Sequence, residues 1–191
     1  MNRRQFAAGA LALVVAGCAS DAQPPNVENA CAIFDSRPHW ERDLSRAERK
    51  WGSPVHVAMA IIWKESSFRP DAAPSRRYLL GFIPWGRRSS AYGFPQALDG
   101  TWDWYVRETR SPGATRDDFG DAADFVGWYM DKSRKQNGIA MTDAYNQYLA
   151  YHEGHAGWRR GTYKSKAWLT RVAREVQGKA DQYQRQMRGC A

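Results

Sequence analysis

Glu65 lies three residues after Ile62 and four after Ile61. A helix through this stretch puts its carboxyl on their apolar stripe rather than on a solvent face. The same residue would fall in the last turn, at the negative end of the helix dipole. Burial and dipole both disfavour the carboxylate, so both raise the pKa. A carboxyl that holds its proton at neutral pH can act as a general acid, and protonating a glycosidic oxygen is one task for such a group. The plainer alternative is a helix-end Glu that reaches into solvent or pairs with Lys64 or Arg69. Spacing alone favours that plainer reading, because perturbed carboxyls are the minority.

Other reactive patterns are poor. The four His, at 39, 56, 152 and 155, include no His-Glu-x-x-His. The nearest approach, His152-Glu153-Gly154-His155, has the wrong spacing for a zinc site and carries a Gly. There is no Gly-rich phosphate loop and no Gly-x-Ser-x-Gly elbow. No cofactor and no metal enter the reading.

The elements that must position Glu65 read as helices. Glu41 to Trp51 has surface-helix spacing, with apolar residues only at Leu44, Ala47 and Trp51. The next helix can take Ser53 as N-cap and Pro54 as its first residue. It buries Val55, Ala58, Met59, Ile61 and Ile62 and stops near Phe68, because Pro70 disfavours helix at Arg69. Residues 69–93 form a long Pro/Gly/Arg/Ser segment with an apolar island at 78–85, which fits a hairpin or a packed loop over a site. Helices follow at about Thr101–Glu108 and Asp118–Arg134, the latter burying Phe119, Ala122, Val126 and Tyr129. One from about Thr142 to His152 is expected to end at Gly154. The last, Ser165–Met187, is expected to bury Trp168, Val172, Val176, Tyr183 and Met187. No run alternates with period two, so the fold is mainly α, a single domain with one short β-hairpin as an option.

Composition and the N-terminus set the compartment. Nine Trp, nine Tyr and seven Phe in 191 residues can fill a core or line a ligand groove. The formal charge of +8 favours an anionic partner. Arg3 and Arg4 precede a run of small apolar residues, Phe6–Ala16, too short to span a bilayer, so residues 1–17 read as a signal peptide. Arg3-Arg4-Gln5-Phe6 resembles a twin-arginine export signal. Val15-Ala16-Gly17-Cys18 resembles a lipobox, which implies lipidation at Cys18; the alternative is an ordinary signal peptide with an incidental Cys. By resemblance to bacterial lipoproteins, Ala19 after that Cys leans toward the outer membrane of an exported, periplasmic protein. Cleavage would remove Arg3 and Arg4, taking the charge from +8 to +6. Export separates the chain from nucleic acid and leaves the cell wall or a membrane surface as the expected partner. Residues 18–30 read as a lipidated, flexible tether. With Cys18 lipidated, Cys31 and Cys190 remain, and in an oxidising compartment they most simply pair; two free thiols are the alternative. A bridge there would close nearly the whole 31–191 domain, worth roughly 5 kcal/mol in the chain-entropy model.

Glu65-Ser66-Ser67-Phe68 resembles the Glu-Ser motif of the soluble lytic transglycosylase-like (SLT) family, whose fold is lysozyme-like, of the goose-type lysozyme kind. Further segments follow in that family's order. Tyr92-Gly93-Phe94-Pro95-Gln96 resembles Tyr-Gly-Leu-Met-Gln, with Phe94 and Pro95 replacing Leu and Met. Trp102 falls where many members carry an aromatic. Leu149-Ala150-Tyr151-His152-Glu153-Gly154 resembles Ala-Tyr-Asn-Ala-Gly, with His152 for Asn and Glu153 for Ala. The earlier Ala144-Tyr145-Asn146 lacks the following Gly. The likeness spans roughly residues 50 to 160.

The resemblance implies a peptidoglycan lytic transglycosylase with Glu65 as its single catalytic acid and base. It makes Ser66, Tyr92, Gln96, Trp102, Tyr151 and Glu153 candidate substrate-binding residues. Tyr92 and Trp102 would be sugar-stacking platforms, and Tyr151 would hydrogen-bond the catalytic carboxylate or the substrate. Structural alternatives are a Ser66 that bonds backbone and a Tyr151 that is a core ring with a satisfied hydroxyl. Glu153 adds a carboxylate that could serve water instead, giving a hydrolytic muramidase. A wall-binding lipoprotein that kept the fold and lost turnover is the non-enzymatic rival.

Overall fold

The computed structural model describes residues 21–79, 83–87 and 89–190. The signal peptide, Cys18 and the centre of the apolar island lie outside the described residues. Seven α-helices follow one another: α1 (Ala30–Ser36), α2 (Pro38–Trp51), α3 (Val55–Ser66), α4 (Asp99–Thr109), α5 (Phe119–Asn137), α6 (Ala144–Arg160) and α7 (Ala167–Met187). A hairpin of β1 (Arg76–Leu79) and β2 (Ile83–Arg87) stands between α3 and α4. Its strands pair antiparallel, Arg76 with Arg87 and Leu79 with Ile83, across an irregularity between Arg76 and Tyr78. The mainly α expectation, with one short hairpin, is borne out.

α3 is the centre. It is apolar on nearly every face, and Val55 and the whole run Val57–Ile62 are buried. α2, α5, α6 and α7 all pack against it. α5 begins where Asp118 accepts a hydrogen bond from the Asp121 amide (2.9 Å) and ends at Gly138 in the left-handed region. Its Phe119, Ala122, Val126 and Tyr129 are buried, as their spacing predicts. Trp40 of α2 stacks on Phe119 (ring centroids 3.8 Å apart) and on Phe68 (5.7 Å), and meets Phe94 edge-on (5.5 Å). This cluster ties two helices to the chain just after α3 and to the turn before α4.

The structure differs from the sequence expectations at three places. Ser53 does not cap α3; it is buried against Gly127 of α5, its hydroxyl has no partner among the described residues, and Pro54 precedes the first helical residue. The helix that begins at Ala144 is broken at Gly154 as expected, through φ 73°, ψ 157°, and a second helical stretch runs on from there to Arg160. On α7 the buried stripe is Leu169, Ala173, Val176, Ala180 and Tyr183, which leaves Trp168 outside. Finally, the chain from Asp21 is no free tether. The Asp21 carboxylate accepts from His39 (2.9 Å), Trp40 Nε1 (2.8 Å) and the Phe119 amide (3.1 Å). Gln23 donates to the Ser67 carbonyl (2.8 Å), and Glu28 pairs with the buried Lys179. Polar and short as it is, this segment gives no periodic signal, because its partners lie up to 158 residues away.

Cys31 and Cys190 are joined, linking α1 to the end of α7 across 159 residues. The pairing expected from the cysteine count is present, and it fastens the docked N-terminal segment to the last helix.

Candidate active site

The last turn of α3 delivers Glu65 to the wall of a cleft of about 400 Å³. Gln96, Ala97, Leu98 and Thr101 line one part of it. Phe125 and Tyr129 come from α5, and Tyr151, His152, Glu153 and Gly154 from α6. Burial pushes the Glu65 carboxyl up to about 7; a hydrogen bond from the Tyr148 hydroxyl and the charge of Lys64 oppose this without cancelling it. No ion pair reaches Glu65 among the described residues. Lys64 turns instead to Glu175 on α7 (2.8 Å), and Arg69 Nε donates to the Ser66 carbonyl (3.2 Å). The solvent-facing and ion-paired alternatives for Glu65 are therefore not what the fold builds.

The helix stops immediately after this residue. Ser67 and Phe68 both take positive φ, 53° and 59°, a costly conformation for a bulky side chain. Burial of Phe68 in the aromatic cluster offsets that cost. The opposite wall depends on a similar arrangement around Arg116. Gly93 has φ 74°, and a Cβ there would lie 2.0 Å from the Arg116 carbonyl oxygen, so only glycine fits. That carbonyl accepts from the Phe94 amide (2.9 Å), while the Arg116 guanidinium donates to the Ala97 carbonyl (2.8 Å) and pairs with Asp99 (2.9 Å). Gln96 Nε2 donates to the carbonyls of Ala72 (2.7 Å) and Gly93 (2.9 Å), pinning the base of the hairpin beside the cleft. Both amide hydrogens are then used, and the carbonyl oxygen is the acceptor left for a ligand.

Tyr151 crosses to this wall. Its buried hydroxyl donates to the Pro95 carbonyl (2.6 Å), so the residue that replaces Met supplies only its backbone to this contact. The group that hydrogen-bonds the Glu65 carboxyl is Tyr148. The sequence reading missed it. Tyr148 lies three residues before Tyr151, on the same face of α6, and that spacing was the available signal.

The remaining candidates are placed as follows. Ser66 is 2% exposed and back-bonds to the Ile62 carbonyl (3.2 Å), so it faces the core rather than a ligand. Trp102 is 7% exposed, packed on Tyr105 and Phe125, with no free face for a sugar; its neighbour Thr101 is the one on the cleft. Tyr92 is half-buried beneath the Arg116 guanidinium and does not line the cleft. The expected stacking platforms are thus structural, because both rings are claimed by tertiary packing.

Glu153 lines the cleft, but its side chain is only 4% exposed. Lys166 donates to both carboxylate oxygens (2.7 and 2.9 Å), and Thr162 and His152 also bond to it. Burial pushes this carboxyl up, but those partners outweigh it and hold it at about 2. A carboxylate so weakly basic and so fully engaged is a poor base for water. His155 goes elsewhere, stacking on Tyr129 and bonding to Ser133 (3.1 Å). Among the described residues no group of His, Cys, Asp or Glu is placed to hold a metal ion.

A carboxyl raised by burial, on the wall of a cleft at the end of a buried central helix, stands in a mainly α fold of lysozyme-like kind. The transglycosylase SLT domain profile matches residues 6–190, and the chain belongs to that family. Members of the family are generally lytic transglycosylases and bind peptidoglycan glycan strands. No curated protein matches the sequence.

Two stability predictions follow from the carboxyls. The raised pKa of Glu65 means that folding favours its protonated form. Its contribution is complete below about pH 4.5 and is lost as pH rises through about 7. Glu65→Gln should therefore match the wild type at pH 4 and exceed it at pH 8 by about 3 kcal/mol, read from denaturant melts. Glu153 has the opposite sign. Its contribution is present above about pH 4.5 and is lost as pH falls through about 2. Glu153→Gln should cost about 2 kcal/mol at pH 7 and converge on the wild type in acid; an equal deficit at every pH would contradict the ion-pair role.

Proposed function

We propose that the protein is a peptidoglycan lytic transglycosylase that cleaves the β-1,4 bond between N-acetylmuramic acid and N-acetylglucosamine, leaving 1,6-anhydro ends. The observation that carries this reading is the pairing of one protonated carboxyl, Glu65, with a second carboxyl, Glu153, that is tied to Lys166. A glycosidase of the usual kind needs two working carboxylates. A site with one favours a reaction in which the same group acts twice.

Glu65 protonates the glycosidic oxygen as the bond from muramic C1 breaks, and the substrate's own N-acetyl group stabilises the positive charge at C1. The resulting Glu65 carboxylate then takes the proton of the muramic C6 hydroxyl, whose oxygen closes onto C1. Glu65 ends protonated, as it began, and no water is consumed. The Tyr148 hydroxyl steadies the carboxylate between the two steps. The Gln96 carbonyl oxygen is placed to accept from a sugar hydroxyl.

The soluble domain and its Glu65→Gln variant, given purified peptidoglycan, provide the test by mass spectrometry of released muropeptides. Anhydro ends should come from the wild type only, with turnover reduced at least about a hundredfold in the variant. Activity should fall roughly tenfold per pH unit above about 7, as Glu65 loses the proton it must donate. Reducing ends would identify a hydrolase instead, and binding without release would identify a wall-binding protein.

We further propose that the chain is exported to the periplasm and held by lipid on Cys18 at the outer membrane. This rests on the leader and lipobox-like residues; among the described residues no helix is long and apolar enough to cross a membrane. Asp21, three positions after Cys18 in the chain, is docked on the domain. Expressed with its own leader, the mature protein should carry acyl mass on Cys18 and partition with membranes, and Cys18→Ser should be released. A membrane-bound Cys18→Ser protein would sink the anchor.

A further inference from the structure

Trp168 stands outside the buried stripe of α7 and is 49% exposed. Among the described residues only Leu98 is an equally exposed large apolar side chain, and Leu98 lines the Glu65 cleft. A single apolar side chain on a surface needs no explanation. Here, however, the ring is held in place beside the site. Its edge meets the His152 ring, 5.2 Å between centroids at 77°, and His152 also lines the cleft. The start of α7 is fixed against this part of α6 by Lys166, which immediately precedes the helix and grips Glu153. Thr162, in the turn before α7, bonds to the same carboxylate.

The indole is also chemically open. The N–H groups of Trp40, Trp51, Trp63 and Trp158 all donate to side-chain oxygens of the protein. Among the described residues, the Trp168 N–H has no protein acceptor. A flat apolar face with a free donor at its edge suits a pyranose ring, which offers C–H groups on its face and hydroxyl oxygens around its rim. The neighbouring His152 ring adds a second polar edge.

We propose that Trp168 and His152 form an additional sugar subsite on the rim of the cleft, taking an N-acetylhexosamine ring of the glycan strand beyond the disaccharide at Glu65. The inference rests on the glycan-cleaving reading and deepens it. In this arrangement Glu153 is a positioning residue: its ion pair sets the start of α7, and with it the platform. Long strands bind more tightly than short ones because only they reach Trp168.

The test uses the Glu65→Gln protein, which binds without turnover, titrated calorimetrically with peptide-free glycan oligosaccharides from disaccharide to octasaccharide. Affinity should rise with length. In Glu65→Gln/Trp168→Ala the advantage of the octasaccharide over the disaccharide should shrink roughly tenfold, the scale of one lost stacking contact. Trp168→Phe in the same background should restore most of it, which a merely structural role for the exposed ring would not require. An unchanged length dependence in the Trp168→Ala variant overturns the subsite alone. So does a loss that is equal at every length. Failure of Glu65→Gln to bind any oligosaccharide overturns the glycan reading and the subsite with it.

Discussion

A carboxyl group keeps its proton at neutral pH only where water and cations are held away from it. That requirement organises this molecule. α3 is apolar on nearly all sides, so it can sit at the centre of the bundle and carry Glu65 into the cleft at its last turn. The adjacent cation, Lys64, is engaged by Glu175 on α7, and its charge opposes the raised pKa without cancelling it. The groups that α6 brings near the carboxyl are tyrosines. A Tyr hydroxyl can hydrogen-bond a carboxylate without adding a charge. A Lys in that position would pull the pKa back down, and another free carboxylate would drive it further up.

Holding Glu65 at the end of a helix costs backbone strain, and aromatic packing offsets it. Ser67, Phe68 and Gln96 all take positive φ, each costing on the order of 1 kcal/mol or more. These residues lie at the two turns that frame the cleft. Phe68 follows α3, Gln96 follows Phe94 by two residues, and both aromatic rings enter the cluster around Trp40 and Phe119. The cluster is in turn gripped by Asp21, which accepts from Trp40 and from the Phe119 amide. Burying these rings recovers more free energy than the turns cost. The site is therefore held by contacts that never touch a ligand.

What was legible in the sequence depended on distance along the chain. α3 and α5 declared themselves because their buried stripes are local, and Glu65 took its place on a stripe for the same reason. The disulfide was legible from cysteine count and compartment. Trp102 and Tyr92 were not, since an aromatic near a motif reads the same whether its face is open or covered. Covering is decided by Tyr105, Phe125 and Arg116. Trp168 was misread by one position: a Trp at helical spacing looks like core until Leu169 is seen to hold the buried register. Gly154 was legible as a break, and the chain does leave the helix there; what local pattern did not reveal is the helical stretch that resumes beyond it, with His155 stacked on Tyr129 and Gly157 buried.

The departures at His152 and Glu153 carry a further consequence. Placing a carboxylate at the cleft wall would ordinarily threaten a single-carboxyl site, either by offering water a base or by coupling to Glu65. Lys166, Thr162 and His152 remove that threat by engaging Glu153, whose low pKa reports how completely it is held. The same bonds fasten the turn before α7 to the kinked part of α6. A charge that would disturb the chemistry if left free becomes a strut when paired. The strut requires Gly154, because the conformation at the kink that follows Glu153 is open to glycine and scarcely to any other residue. Glu153 and Gly154 thus act together as a structural unit at the edge of the site.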